Sequence, residues 1–137
     1  MSILLLDTCA LIWLAHAEPV ADTALRAMAA AARDGEPVYV SPMSAWEIGM
    51  LSARGKLALS IDPLVWFQRV LRVQGVELAD LTPRILIGSS YLPGTPPRDP
   101  MDRIIAATAR ENDYRLITRD KHLLAYADAG HLNVLAC

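Results

Sequence analysis

Ile3-Leu4-Leu5-Leu6-Asp7 is an unbroken apolar run that ends on a carboxylate. A strand with one face in water alternates apolar and polar residues, whereas a strand covered on both faces reads as a continuous hydrophobic run, the pattern of a parallel sheet between helices. Asp7 then marks the carboxyl end of a strand, the side on which open α/β sheets gather ligands. The residues that follow, Thr8 to Ala15, read as a helix capped by Thr8 and apolar nearly all round through Cys9, Leu11, Ile12, Trp13 and Leu14. Such a helix has no polar face, so it and parts of the neighbouring helices are expected to form a groove that a partner segment covers.

Working outward, the Ala-rich stretch from Val20 to Arg33 is a second helix, and Asp34-Gly35 turns the chain into a short β-branched strand, Pro37 to Val40. Ser41-Pro42, Asp62-Pro63, Thr82-Pro83 and Asp99-Pro100 each place a capping residue before a proline, the usual opening of a helix. They predict helices to about Arg54, Val73, Ser90 and Asn112. The Asp62 helix is amphipathic, with Leu64, Phe67, Val70 and Leu71 on its apolar face. Val76 to Leu81, Arg115 to Thr118 and Leu132 to Ala136 read as strands, Lys121 to Asp128 as a helix, and Leu92 to Arg98 as a proline-rich loop. Strands alternate with helices throughout, which predicts an α/β domain with a mostly parallel sheet covered on both sides.

The 137 residues (15.0 kDa) fit one domain, residues 1–137, able to bury roughly 70% of the surface of the unfolded chain. Hydrophobic residues make up 53%, above the ~45–50% usual for a globular domain, so some apolar surface is expected to meet a partner. Net charge is −2 and the pI about 5.9, so attraction to phosphate has to come from a local patch. Cys9 and Cys137 form neither a disulfide framework nor a metal-ligand spacing. With no signal-like opening and no apolar run near the ~20 residues needed to span a bilayer, the expected location is the cytoplasm.

Four acids carry the chemistry: Asp7, Glu47, Asp102 and Asp120. Each also has a structural alternative, since Ser44 with Glu47 fits a capping box, Asp99 and Asp102 fall at N-cap and N3 of one helix, and Asp7 and Asp120 end strands where turns begin. Helical spacing, however, puts Glu47 with Met43, Met50 and Leu51, and Asp102 with Ile105, Ala106 and Ala109. Carboxylates on core-facing stripes are costly unless paired or bound to a cation. If the four converge, their mutual repulsion raises one or more pKa values, and an all-oxygen donor set selects Mg²⁺ or Mn²⁺ over zinc. Divalent ions there serve phosphodiester hydrolysis by an activated water, with no side-chain nucleophile.

Thr8 and Thr118 stand beside these acids as candidate outer-shell residues, and each also reads as an ordinary cap or strand end. Arg98, Arg103, Arg119 and Lys121, with Arg54 and Lys56, form a candidate patch for a phosphate backbone; solvated helix ends carrying Lys and Arg are the alternative. His16, His122 and His131 have no ligand spacing, and Trp13, Trp46 and Trp66 read first as core or interface residues.

LLLDT at Asp7, SPMSAWEIGM around Glu47, RDPMDRIIAATA around Asp102 and LITRD at Asp120 together resemble the PIN-domain ribonucleases, most closely the VapC-type toxins of toxin–antitoxin pairs. The resemblance covers the whole chain in order. It implies a PIN-like three-layer α/β/α domain with a five-stranded sheet, Mg²⁺- or Mn²⁺-dependent endoribonuclease activity, and as partners an RNA substrate, a cognate antitoxin and a second copy of the chain. By the same resemblance Asp7, Glu47, Asp102 and Asp120 are the catalytic, metal-holding acids. Asp102 rather than Asp99 takes the third place because Ala107 and Ala109 follow it at the family's spacing, which leaves Asp99 an outer-shell role.

Rival functions fit less well. A phosphatase of the haloacid dehalogenase type needs a second acid two residues after the first, where this chain has Cys9, and a phospho-accepting receiver domain needs paired acids where Asp7 stands alone. A catalytically silent PIN-like module that only binds RNA or a partner is the remaining alternative, against which stand four intact acids.

Overall fold

In the computed structural model, which describes residues 2–137, β1 (Leu4–Leu6) is the middle strand of a five-stranded sheet. Met1, the first residue of the expected domain, lies outside the described residues. The other strands are β2 (Val38–Val40), β3 (Val76–Leu78), β4 (Arg115–Thr118) and β5 (Val134–Ala136). They are ordered β3-β2-β1-β4-β5 and every neighbouring pair is parallel. Leu6 pairs with Val40 on one side and Ile117 on the other, so β1, β2 and β4 end level with one another.

The apolar run behaves as its composition requires. Leu4 and Leu6 join a core with α1 (Thr8–Ala15), α2 (Asp22–Arg33), α3 (Pro42–Ala53) and α4 (Pro63–Leu71). Leu5, pointing the other way, packs with α6 (Pro100–Asn112) and α7 (Lys121–Asp128). A short α5 (Pro83–Gly88) packs on α6. The result is helices on both faces of a parallel sheet. Each fully buried leucine of β1 contributes roughly 1.5–3 kcal/mol relative to exposure.

The prolines start helices as expected, with Ser41, Asp62, Thr82 and Asp99 each accepting a hydrogen bond from the first turn of its helix. Several expectations need correction. The cap of α1 is Asp7, which accepts from the Ala10 N–H, while Thr8 is already helical. Ser44 does not cap Glu47 in a box; Ser41 caps α3, and Ser44 lies inside it. The second helix begins at Asp22 rather than Val20, and β2, β3 and β5 are shorter than their apolar runs. Leu64 is 65% exposed, and Trp66 takes its place against the core with Phe67 and Val70.

Of the apolar surface expected from α1 and parts of its neighbouring helices, the α1 share is largely packed. Ile12 and Leu14 pack against the core, and the Arg119 guanidinium covers Trp13 at 3.9 Å from the ring centroid. Exposed apolar side chains occur elsewhere, at Trp46, Leu64 and Val65 on α3 and α4 and at Leu86, Ile87 and Tyr91 around α5. Among the described residues no helix is long and apolar enough to cross a membrane.

Candidate active site

The order β3-β2-β1-β4-β5 reverses direction at β1 and β4. Connections leave these two strands to opposite sides, opening a crevice at their carboxyl ends. Asp7 leaves β1 at this point and Asp120 follows β4. Thr118 joins them: its hydroxyl donates to Asp7 Oδ2 at 2.5 Å and accepts from the Asp120 N–H at 3.0 Å. The bond reaches across 111 residues of sequence and is buried. Glu47 is brought in by α3, and a second buried hydroxyl pair, Thr8 Oγ1 with Ser44 Oγ at 2.9 Å, ties α1 to α3 one turn before it. Asp102 stands in the first turn of α6, behind the Asp99 cap.

All four acids act on a common region. The Cys9 thiol, on the first turn of α1, is pushed up to about 11, first by burial and then by Asp7, Glu47, Asp102 and Asp120. That thiol stays protonated at neutral pH and supplies no thiolate nucleophile. Asp102 is raised to about 7 by burial, then by repulsion from Asp120, Asp99, Glu47 and Asp7. Asp7, 6% exposed, is also raised by burial, while the bonds from Thr118 and Ala10 pull it the other way. Repulsion was the expected cause; removal from water is the larger one, with repulsion adding to it.

The cap reading of these acids is therefore partly realised. Asp7, Asp99 and Asp120 do cap helices. Capping does not exhaust them, since a carboxylate has about four acceptor positions and Asp120 uses Oδ2 for Leu123, leaving Oδ1 open. Among the described residues no three His, Cys, Asp or Glu side chains already form a cage close enough to hold a metal ion. The donor set nevertheless fits Mg²⁺ or Mn²⁺: the donors are oxygens, and Mg²⁺ keeps several waters and takes only one or two carboxylates directly.

The basic residues differ in how far they are engaged with the protein. Arg98 and Lys121 are exposed, and Arg103 is partly buried on α6. Arg119 is committed to the protein, donating to the main-chain oxygens of Pro19 and Cys137 while lying on Trp13. Ser44 is the residue sequence reasoning missed, read as a cap when it is a fully buried strut; a serine one turn before a half-buried acid was the available signal.

Thr118→Val preserves shape but removes a donor to Asp7 and the acceptor for the Asp120 N–H. A loss of about 1–3 kcal/mol is expected in urea unfolding with unchanged m-value, because buried polar groups lose their partners. A variant as stable as the wild type would show that the bridge is dispensable.

The PIN domain family model matches residues 4–129. The chain belongs to the PIN domain family. Ribonuclease VapC22 of Mycobacterium tuberculosis is 31% identical over 126 residues, covering 92% of this chain and 93% of that protein. Among solved structures, VapBC2 from Rickettsia felis, bound to a DNA fragment from the promoter, gives a TM-score of 0.69 at 14% identity, covering 98% of each chain. DNA-bound VapBC from Salmonella typhimurium gives 0.65 at 19%, covering 99% of this chain and 98% of that one. At these identities the structural likeness is one of fold, and it places this protein's parallel sheet and flanking helices within the PIN architecture.

Proposed function

We propose that this PIN-domain protein, acting as one domain over residues 1–137, is the endoribonuclease toxin of a toxin–antitoxin pair. Asp7, Glu47, Asp102 and Asp120 would form its metal-dependent catalytic centre. The observation that carries the reading is that Asp7 and Asp120 stand at the β1/β4 crevice joined by the buried Thr118 hydroxyl, with Glu47 and Asp102 near enough to act with them on the Cys9 thiol. The similarity to Ribonuclease VapC22 over nearly the whole chain supports the substrate class. Mg²⁺ or Mn²⁺, when bound, supplies Lewis acidity to an attacking water and offsets the charge on the scissile phosphate.

The chain's own residues do the positioning. Thr118 holds Asp7 by one oxygen and fixes the Asp120 backbone by the same hydroxyl, so the two acids that flank the crevice keep their spacing. Thr8 and Ser44 do the same for the helix that carries Glu47. Unpaired RNA suits an exposed crevice, where splayed bases are reachable in a way duplex bases are not.

The partner proteins belong to the same proposal: an antitoxin and a second copy of the chain. The VapBC structures among the neighbours support the antitoxin partner. The test is incubation of the purified protein with defined single-stranded RNAs in Mg²⁺, in Mn²⁺ and in EDTA. Cleavage only with the divalent ion is the expected result. Equal cleavage in EDTA would sink the metal-dependent mechanism, and RNA binding with no cleavage under any condition would favour the silent module.

A further inference from the structure

A cleft of about 820 Å³ opens beside the acids, with Asp102 and Asp120 on its lining. One wall is a single face of α7, where His122, Ala125, Tyr126 and Ala129 recur at i, i+3, i+4 and i+7. Ala125 and Ala129 are exposed and carry only methyl groups, so the cleft exists because this face is small there. The opposite wall is the proline-rich loop, through Pro96 and Pro97.

The back of the cleft is packed. The Tyr126 hydroxyl donates to the Pro93 carbonyl at 2.6 Å, and the Tyr126 and His131 rings lie 5.0 Å apart. Gly94, at φ +67°, comes so close that a Cβ there would lie 2.5 Å from His131 Nε2. Only glycine combines this backbone conformation with that approach. The loop is thus fastened to α7 and to His131, and the cleft is preformed.

Its contents are chemically mixed. His122 presents an exposed aromatic ring, Pro96 is half-exposed beside the buried Pro97, and Arg98 stands exposed at the loop's end. Asp99 commits Oδ1 to capping α6, which leaves its other oxygen as an acceptor for a hydroxyl or an exocyclic amine.

We propose that this cleft seats one unpaired nucleotide of the RNA, adjoining the scissile phosphate, with its base between His122 and Pro96 and Arg98 beside its outer phosphate. The assignment rests on the nuclease reading for its position next to the cut. Continuity with Asp102 and Asp120 gives it that position, and its volume lies within the roughly 300–1,000 Å³ of small-ligand sites. Unpaired bases are held by stacking on planar side chains, which tolerates different bases, while polar groups such as Asp99 discriminate among them. The α7 face and the loop then set which nucleotide flanks the cleavage site, independently of the acids that cut.

Two measurements test this. Cleavage of a single-stranded RNA pool of random sequence in Mn²⁺, read by sequencing the new ends, gives the preference at the flanking nucleotide. The four ribonucleoside monophosphates, titrated while the His122 and His131 ring signals are followed by NMR, give binding without turnover. The variant is Ala125→Phe, which fills the cleft from an exposed position, with His122→Ala as a second variant that only removes an exposed ring. Both should lose about tenfold or more of nucleotide affinity and flatten the preference, as expected when a base loses its stacking surface. Their melting temperatures and metal-induced stabilisation should match the wild type.

Wild-type preference and affinity in a folded Ala125→Phe, or nucleotides that move neither histidine signal, would overturn the proposal while leaving the nuclease reading standing. Conversely, a wild-type protein that cuts no RNA yet binds nucleotides in a manner abolished by Ala125→Phe would sustain the cleft assignment and remove the nuclease. If Ala125→Phe fails to fold, His122→Ala decides by the same readouts.

Discussion

Asp102→Asn is expected to reduce RNA cleavage on the order of 10³-fold, and Asp7→Asn by as much, the size of effect when several kcal/mol of metal-derived stabilisation are lost. Both variants should remain folded. Asp102 lies half-buried, and Asp120, Asp99, Glu47 and Asp7 all act on it by repulsion. Replacing it by a neutral amide of the same shape relieves the repulsion, so the metal-free variant should melt at the wild-type temperature or above. The metal response separates catalysis from capping. Wild-type protein should gain about 2.7 kcal/mol from Mg²⁺ at one hundred times its dissociation constant, and the variants less. Equal shifts in melting temperature for wild type and variants, measured with and without Mg²⁺, would mean that these acids only cap helices.

What the sequence disclosed and what it hid divide along physical lines. The helix α6 from Pro100 to Asn112, β4 and α7 have the expected limits, and β1 falls one residue short of its Ile3 to Leu6 run, because each is delimited by a local signal: a continuous apolar run, or a capping acid before proline or a helix. The four acids were legible as candidates because each ends a strand or sits on an apolar stripe, and strand order explains why Asp7 and Asp120 stand at one crevice. Hidden features depend on contacts across the chain. The Asp7–Thr118 bridge spans 111 residues and the Thr8–Ser44 pair 36, and no spacing rule announces either. Arg119 read as a candidate phosphate contact, and no sequence signal announces that its guanidinium lies on Trp13 and donates to the Cys137 carbonyl, contacts made only by tertiary packing. The apolar character of α1 was legible, but not its cause: the helix is pressed between the sheet and its neighbours, and the exposed apolar residues sit on helices whose sequences look ordinary. The cleft beside the acids escaped notice because two alanines and a glycine make it, and small residues signal space only once the opposite wall is known.

The metal-free protein is expected to lose stability as pH rises from about 4 to about 7. The Asp102 carboxyl stands at about 7 in the folded chain against 3.8 for an unperturbed group. Between those values the folded chain holds a proton that the unfolded chain has released. Stability falls with pH wherever the native state binds more protons, so this contribution is complete below 3.8 and gone above about 7. Asp7 is shifted in the same direction by burial and adds to the slope. Because Asp102 is only partly buried, solvent screens the effect and its amplitude falls short of what the full shift would give. A divalent ion reverses the logic: it binds the ionised carboxylates, so its stabilisation should grow across the same interval in which the metal-free protein weakens. Urea unfolding across this range, in EDTA and in Mg²⁺, should therefore give two curves that diverge as pH rises. Asp102→Asn should flatten the EDTA curve, since the amide has no proton to lose. A wild-type EDTA curve that is level or rises through this interval would show that the carboxylates do not crowd one another, and with that the case for a shared cation at the β1/β4 crevice would fall.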